Sequence, residues 1–157
     1  MVYNVRVSTI RWSSALFRIK HKENGMTRKE AREYCFKLMF EYEVQKNSFE
    51  DLMACFDEYA EAPGNQRAYV EGVVSSCLAH LDIIDEMIER NSKGWKKNRL
   101  PKVTLSALRV AVCEILYMDD IPDGIAINEA VEIAKVYHDE QNGKFVNGIL
   151  SSVLKEK

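Results

Sequence analysis

Apolar residues recur at helical spacing along almost the whole chain after residue 26. Ala31, Cys35, Leu38, Met39 and Tyr42 form one stripe within residues 28–45, and Leu52, Met53, Phe56 and Tyr59 form a second within 49–59. A third stripe, Tyr69, Val70, Val73, Val74, Cys77 and Leu78, occupies 66–80 and runs on, with a bend, into Leu81, Ile84, Asp85 and Ile88. Such i, i+3, i+4, i+7 series predict amphipathic helices that bury one side. Residues 105–118 are apolar nearly all round, which predicts a central helix. The final stretch, 125–157, carries Ile127, Ala130, Val131, Ala134 and Tyr137, then Val146, Ile149, Leu150, Val153 and Leu154. It predicts two helices, joined at Asn142-Gly143.

The punctuation between the stripes agrees. Thr27 followed by Glu30 reads as a capping box at the first helix start. Asn47-Ser48, Ala62-Pro63-Gly64-Asn65, Asn91-Ser92-Lys93-Gly94 and the acidic turn 119–124 read as breaks. Pro101 forbids continuation, and Thr104 is the expected cap of the central helix. No hairpin dipeptide joins alternating strands, so the expected fold is all-α with about seven helices. In residues 1–25, Val5, Val7 and Thr9 alternate with Arg6 and Ser8, but a lone strand has no partner in the rest of the chain. Residues 1–25 are therefore expected to be a basic, disordered extension, and 26–157 the folded domain, with Met26 a candidate start of it.

Composition narrows the function. With 46% hydrophobic and 29% charged residues the chain has the balance of a soluble globular protein, and no run of about eighteen apolar residues is present to span a membrane. The four cysteines lack CxxC spacing and are expected to be reduced core thiols, as in a cytosolic protein. The net charge of −2 hides an asymmetry: residues 1–25 carry five basic side chains against Glu23, leaving 17 basic and 23 acidic in the rest. Any nucleic-acid site must then be a local patch. The three histidines lie far apart without HExxH spacing, and no phosphate-loop, dinucleotide or nucleophile-elbow motif occurs. Ser75-Ser76 near His80 lacks an orienting acid. No metal, cofactor or catalytic residue is expected, and the protein is not expected to be an enzyme.

Two segments carry chemistry that core packing does not require. In the first helix Arg28 and Arg32 lie beside the apolar stripe and Lys29 further round, with Phe36 and Phe40 continuing down the same side. Three cations in a first turn oppose the helix dipole, at a few tenths of a kcal/mol each, unless an anion docks there. The alternative is a solvated face with both phenylalanines buried. In 144–148, Phe145 falls at the rim of its stripe, Lys144 almost opposite it, and Asn147 away from its centre. A stacking face, a phosphate partner and an amide are what single-stranded nucleic acid uses. The alternative is that Phe145 finishes the core. Trp95, beside Lys96, Lys97 and Arg99, could stack on a base, but the commoner use of such a residue is to plug a helix junction. Arg109, inside an apolar face, is expected to be structural and to find a carboxylate or carbonyl partner.

The segments Ala126-Ile127-Asn128-Glu129-Ala130-Val131-Glu132-Ile133-Ala134-Lys135 and Lys144-Phe145-Val146-Asn147-Gly148-Ile149-Leu150 strongly resemble those of the bacterial NusB family. The likeness extends through Leu108-Arg109-Val110-Ala111, Glu114-Ile115-Leu116 and Thr27-Arg28-Lys29-Glu30-Ala31-Arg32-Glu33, and covers about residues 26–155. The resemblance implies an all-helical fold of two packed subbundles and a non-catalytic, cytoplasmic transcription antitermination factor. It implies binding of single-stranded boxA RNA of ribosomal RNA transcripts together with NusE, a small-subunit ribosomal protein, in an RNA polymerase elongation complex. It also implies RNA-binding roles for Arg28, Lys29, Arg32, Lys144 and Phe145, with Glu30 standing where some members carry another arginine. The surface for NusE is expected near 119–128. Similar domains precede ribosomal RNA methyltransferases, for which 157 residues leave no room. A helical protein-interaction adaptor without RNA binding is the alternative function.

Overall fold

The computed structural model describes residues 25–157, so the expectations for residues 1–24 lie outside the described residues. Seven α-helices and one short 3-10 turn account for most of the described chain, with no strand among the described residues, as the periodicity predicted. The helices fall into two compact units, one ending at Val74 and one comprising Ser75–Lys157.

The first unit contains α1 (Arg28–Gln45), α2 (Phe49–Tyr59) and the start of α3 (Gln66–Ala79). Thr27 opens α1 through the expected capping box: its Oγ1 accepts from the Glu30 amide at 3.1 Å, and its own amide donates to Glu30 Oε2 at 2.8 Å. The helix ends where Lys46 turns into the left-handed region at φ 52°. Ser48 caps α2 by accepting from the Asp51 amide. Tyr34 meets the Phe56 ring edge-on at 5.2 Å, and both side chains are fully buried. Burying an aromatic of that size stabilises by roughly 1.5–3 kcal/mol. Across the 60–65 loop, Arg67 ties α3 to α2 with a bidentate pair to Asp57, at 2.8 and 3.0 Å.

The polar side chains buried in this unit include Lys37, Glu41 and Asn47. Among the described residues, Glu41 Oε1 and Asn47 Oδ1 have no hydrogen-bond partner. Burial pushes the Glu41 carboxyl up to about 7, while a hydrogen bond from the Asn47 side chain pulls the other way. Burial, reinforced by the charges of Glu41 and Glu58, pushes the Cys55 thiol up to about 12.

The second unit is built on α5 (Lys102–Tyr117), in which every residue from 104 to 115 is buried. Around it lie α4 (Leu81–Arg90), α6 (Asp123–Tyr137) and α7 (Glu140–Glu156), and α6 and α7 pack along each other. Arg109 finds the partner its position demanded: Nε and Nη2 donate to Asp85 Oδ1 and Oδ2, each at 2.8 Å, with Arg109 2% and Asp85 4% exposed. Lys97 adds a third bond to Asp85 Oδ2 at 3.1 Å. The four cysteines are buried free thiols, as expected.

The bend expected after the third stripe falls at His80, whose ring stacks on Tyr117 at 3.9 Å while its Nδ1 lies 2.9 Å from the Ser76 carbonyl. Two boundaries differ from the sequence reading. The central helix begins at Lys102 directly after Pro101. Thr104 is therefore inside the helix, and its hydroxyl donates to Asn142 Oδ1 at 2.7 Å rather than capping. The last two helices join at His138-Asp139, not at Asn142-Gly143. Asp139 caps α7 by accepting from the Asn142 amide at 2.8 Å, and hydrogen bonds from Asn142, side chain first and then backbone, depress its carboxyl pKa. Gly143 is a helix residue that permits a close approach, since a Cβ there would come 2.7 Å from Lys135 Cγ.

Candidate nucleic-acid interface

In the first unit the α1 start holds its cations in different environments. Arg28 is exposed, yet its position is fixed: its guanidinium carbon lies 4.0 Å from the Tyr69 ring centroid, and its Nε donates to Gln66 Oε1 at 2.8 Å. A cation over an aromatic face gains quadrupole attraction and loses rotamer freedom before any ligand arrives. Lys29 is exposed. Arg32, expected to hold phosphate alongside Arg28, is only 3% exposed, with its guanidinium carbon 5.7 Å from the same Tyr69 ring. The carboxylate of Glu30 folds back onto the Thr27 amide, so it completes the cap. Phe36 is fully buried and Phe40 half-buried.

In the second unit Lys144 and Phe145 lie in the second turn of α7, Lys144 exposed and Phe145 half-buried. Val146, Ile149, Leu150 and Val153 take the core side of the helix. Three hollows meet at Lys144. The largest, about 420 Å³, is lined by Trp95, Leu100, Pro101, Gln141, Asn142, Lys144 and Phe145. A second of about 130 Å³ continues past Phe145 to Lys93 and Gly148, and a third of about 260 Å³ lies toward Lys135 and Asn147.

Trp95 departs from its expected packing role, being 51% exposed. It is anchored all the same. The Ser92 hydroxyl lies 2.7 Å from the Trp95 carbonyl and 2.9 Å from that of Glu89, the Trp95 amide donates to Ser92, and the Lys97 amide donates to Glu89 Oε1. Its cationic neighbours were the signal for this exposure, but only the fold shows that it shares a hollow with Phe145. Opposite it, the Asn142 side chain is fixed by Thr104 and Asp139 and also contacts His138 Nδ1.

Nothing in this arrangement resembles a reaction centre. His80 Nδ1 donates to the Ser76 carbonyl, so it is not free to accept a proton from the Ser76 hydroxyl 3.4 Å away. Among the described residues no group of His, Cys, Asp and Glu could hold a metal ion, and no helix is long and apolar enough to cross a membrane.

The NusB family profile matches residues 29–155. The chain belongs to the NusB family. It is 44% identical over 132 residues to the transcription antitermination protein NusB of Acetivibrio thermocellus, covering 84% of this chain and 91% of that protein. A solved NusB structure from T. maritima superposes with a TM-score of 0.76 at 34% identity, covering 84% of this chain and 93% of that one. A crystal structure of the antitermination factors NusB and NusE in complex with dsRNA matches with a TM-score of 0.76 at 28% identity, covering 83% of this chain and 97% of the other. NusB proteins are transcription antitermination factors, not enzymes, and the all-helical fold is shared with these NusB structures.

Proposed function

We propose that the protein binds boxA-type single-stranded RNA of ribosomal RNA transcripts together with NusE, within a cytoplasmic RNA polymerase elongation complex. The observation that carries this reading is the surface of α7, where Lys144 and Phe145 face a hollow walled by a second, half-exposed aromatic. A solved NusB relative in complex with NusE and dsRNA supports the RNA and NusE parts of this reading. Arg28 and Lys29 contact phosphate, Phe145 stacks on a base, and Lys144 pairs with the backbone. Arg32, from its buried position, supports the Tyr69 ring that carries Arg28. The partner surface includes exposed Asp119, Asp120, Ile125 and Asn128, whose acidic and apolar mixture suits a basic ribosomal protein.

A filter-binding titration of the full chain with boxA-like RNA, with and without NusE, tests this. Binding strengthened by NusE is expected, and Phe145→Asp should abolish it. Unchanged binding and salt dependence in an Arg28→Ala, Lys29→Ala variant would refute the phosphate roles. NusE binding without any RNA binding would favour the adaptor.

A further inference from the structure

We infer that the hollow between Trp95 and Phe145 is a slot for a single unpaired nucleobase, with Trp95 as a stacking wall and Gln141 as the group that reads the base edge. This rests on the RNA-binding reading above and goes beyond it by naming the occupant and two residues that take part. The slot measures about 420 Å³, within the size range of small-ligand sites. Apolar Leu100 and Pro101 line it together with the two aromatics. Trp95 is half exposed and lines the hollow, so its indole is accessible to a flat ligand. The bonds that pin its backbone from Ser92 to Lys97 run on, through Lys97 and Asp85, to buried Arg109. Trp95 is therefore carried on a segment tied to the unit's core, a preorganised platform.

The polar groups choose among flat ligands. Among the described residues no carboxylate lines the slot, and Lys144 stands at it, which favours a neutral ring attached to an anionic backbone. Of the two amides present, Asn142 is committed to Thr104 and Asp139, whereas Gln141 is exposed and brings both a donor and an acceptor. That pairing suits the hydrogen-bonding edge of a base. A base inside a duplex presents no free face, so the slot selects single strands.

The test uses the full chain carrying Trp12→Phe, which leaves Trp95 as the single tryptophan. Titration with boxA-like single-stranded RNA should quench Trp95 fluorescence, and the same RNA annealed to its complement should not. Trp95→Ala should weaken single-strand binding about tenfold or more, with Trp95→Phe retaining most of it. Gln141→Ala should change the preference among substituted bases. If Trp95→Ala and Trp95→Phe both bind as tightly as the parent while Phe145→Asp loses binding, the slot is refuted and the RNA-binding reading stands. If the parent binds no RNA, both fall. Quenching by a proline-rich peptide but not by RNA would overturn the nucleobase assignment.

Discussion

In the unit formed by Ser75–Lys157 the deepest charge, Arg109, meets both oxygens of Asp85, which also accepts from Lys97; in the unit ending at Val74 the buried carboxyl of Glu41 keeps one oxygen without a partner among the described residues. The surfaces differ in the opposite sense. The first unit offers guanidinium and ammonium charge at the α1 start, steadied by Tyr69, whereas the second offers aromatic faces around one lysine. A group needing desolvated, precise placement thus sits on the unit whose interior charges are satisfied. Charge that acts through solvent sits on the unit whose interior is sensitive to pH.

Four measurements put that contrast to the test. The largest effect is expected from Asp85→Ala, which strands Arg109 in the interior and should cost about 3–5 kcal/mol in urea unfolding. A loss below about 1 kcal/mol would mean that the buried pair is not what separates the units. Next is pH. The Glu41 carboxyl is raised in the folded state, so its stabilising contribution is complete below the unfolded value near 4.5 and is lost as pH rises through about 7. Glu41→Gln should therefore flatten the stability profile between about pH 5 and 8 by about 2 kcal/mol relative to the parent. Third, Phe145→Ala should weaken RNA binding about tenfold with its salt slope unchanged, whereas Arg28→Ala with Lys29→Ala should lower the slope by about 0.7 per lost phosphate contact. Equal salt slopes for the two variants would erase the division of labour. The smallest effect concerns Gly148, which lines the hollow beside Phe145 and where an added Cβ meets nothing within 4 Å apart from its chain neighbours and its own helix backbone. Gly148→Ala should raise stability by about 0.5–1 kcal/mol and still weaken RNA binding, seen by pairing thermal unfolding with titration.

Much of the fold was legible because its signals are local. Thr27 with Glu30, Ser48, and the stripes of α1, α2 and α7 act over three or four residues, and periodicity reports them directly. Arg109 was also legible, since a cation within an apolar face has few tolerable fates. The misplaced helix boundaries arose where a local sign served a distant contact. Asn142-Gly143 looks like a break, but the glycine makes room for Lys135 and the amide reaches Thr104, 38 residues away in sequence. Arg32 and Arg28 are neighbours on the wheel, yet only one is buried, and no helical angle reports how deep the adjacent elements lie. The hollow shared by Trp95 and Phe145 joins a turn to a helix fifty residues later, so it existed only once the unit was assembled.

The same Asn142-Gly143 pair has a chemical consequence. In a loose chain an asparagine before glycine is readily attacked by the following backbone nitrogen, losing its amide through a cyclic imide. Here the Gly143 nitrogen donates to the Asp139 carbonyl within α7, and the Asn142 amide is held by Thr104 and Asp139, so the folded state withholds both reactants. Loss of that amide, read as a one-dalton gain in a peptide spanning residue 142, would record how long the start of α7 has spent open.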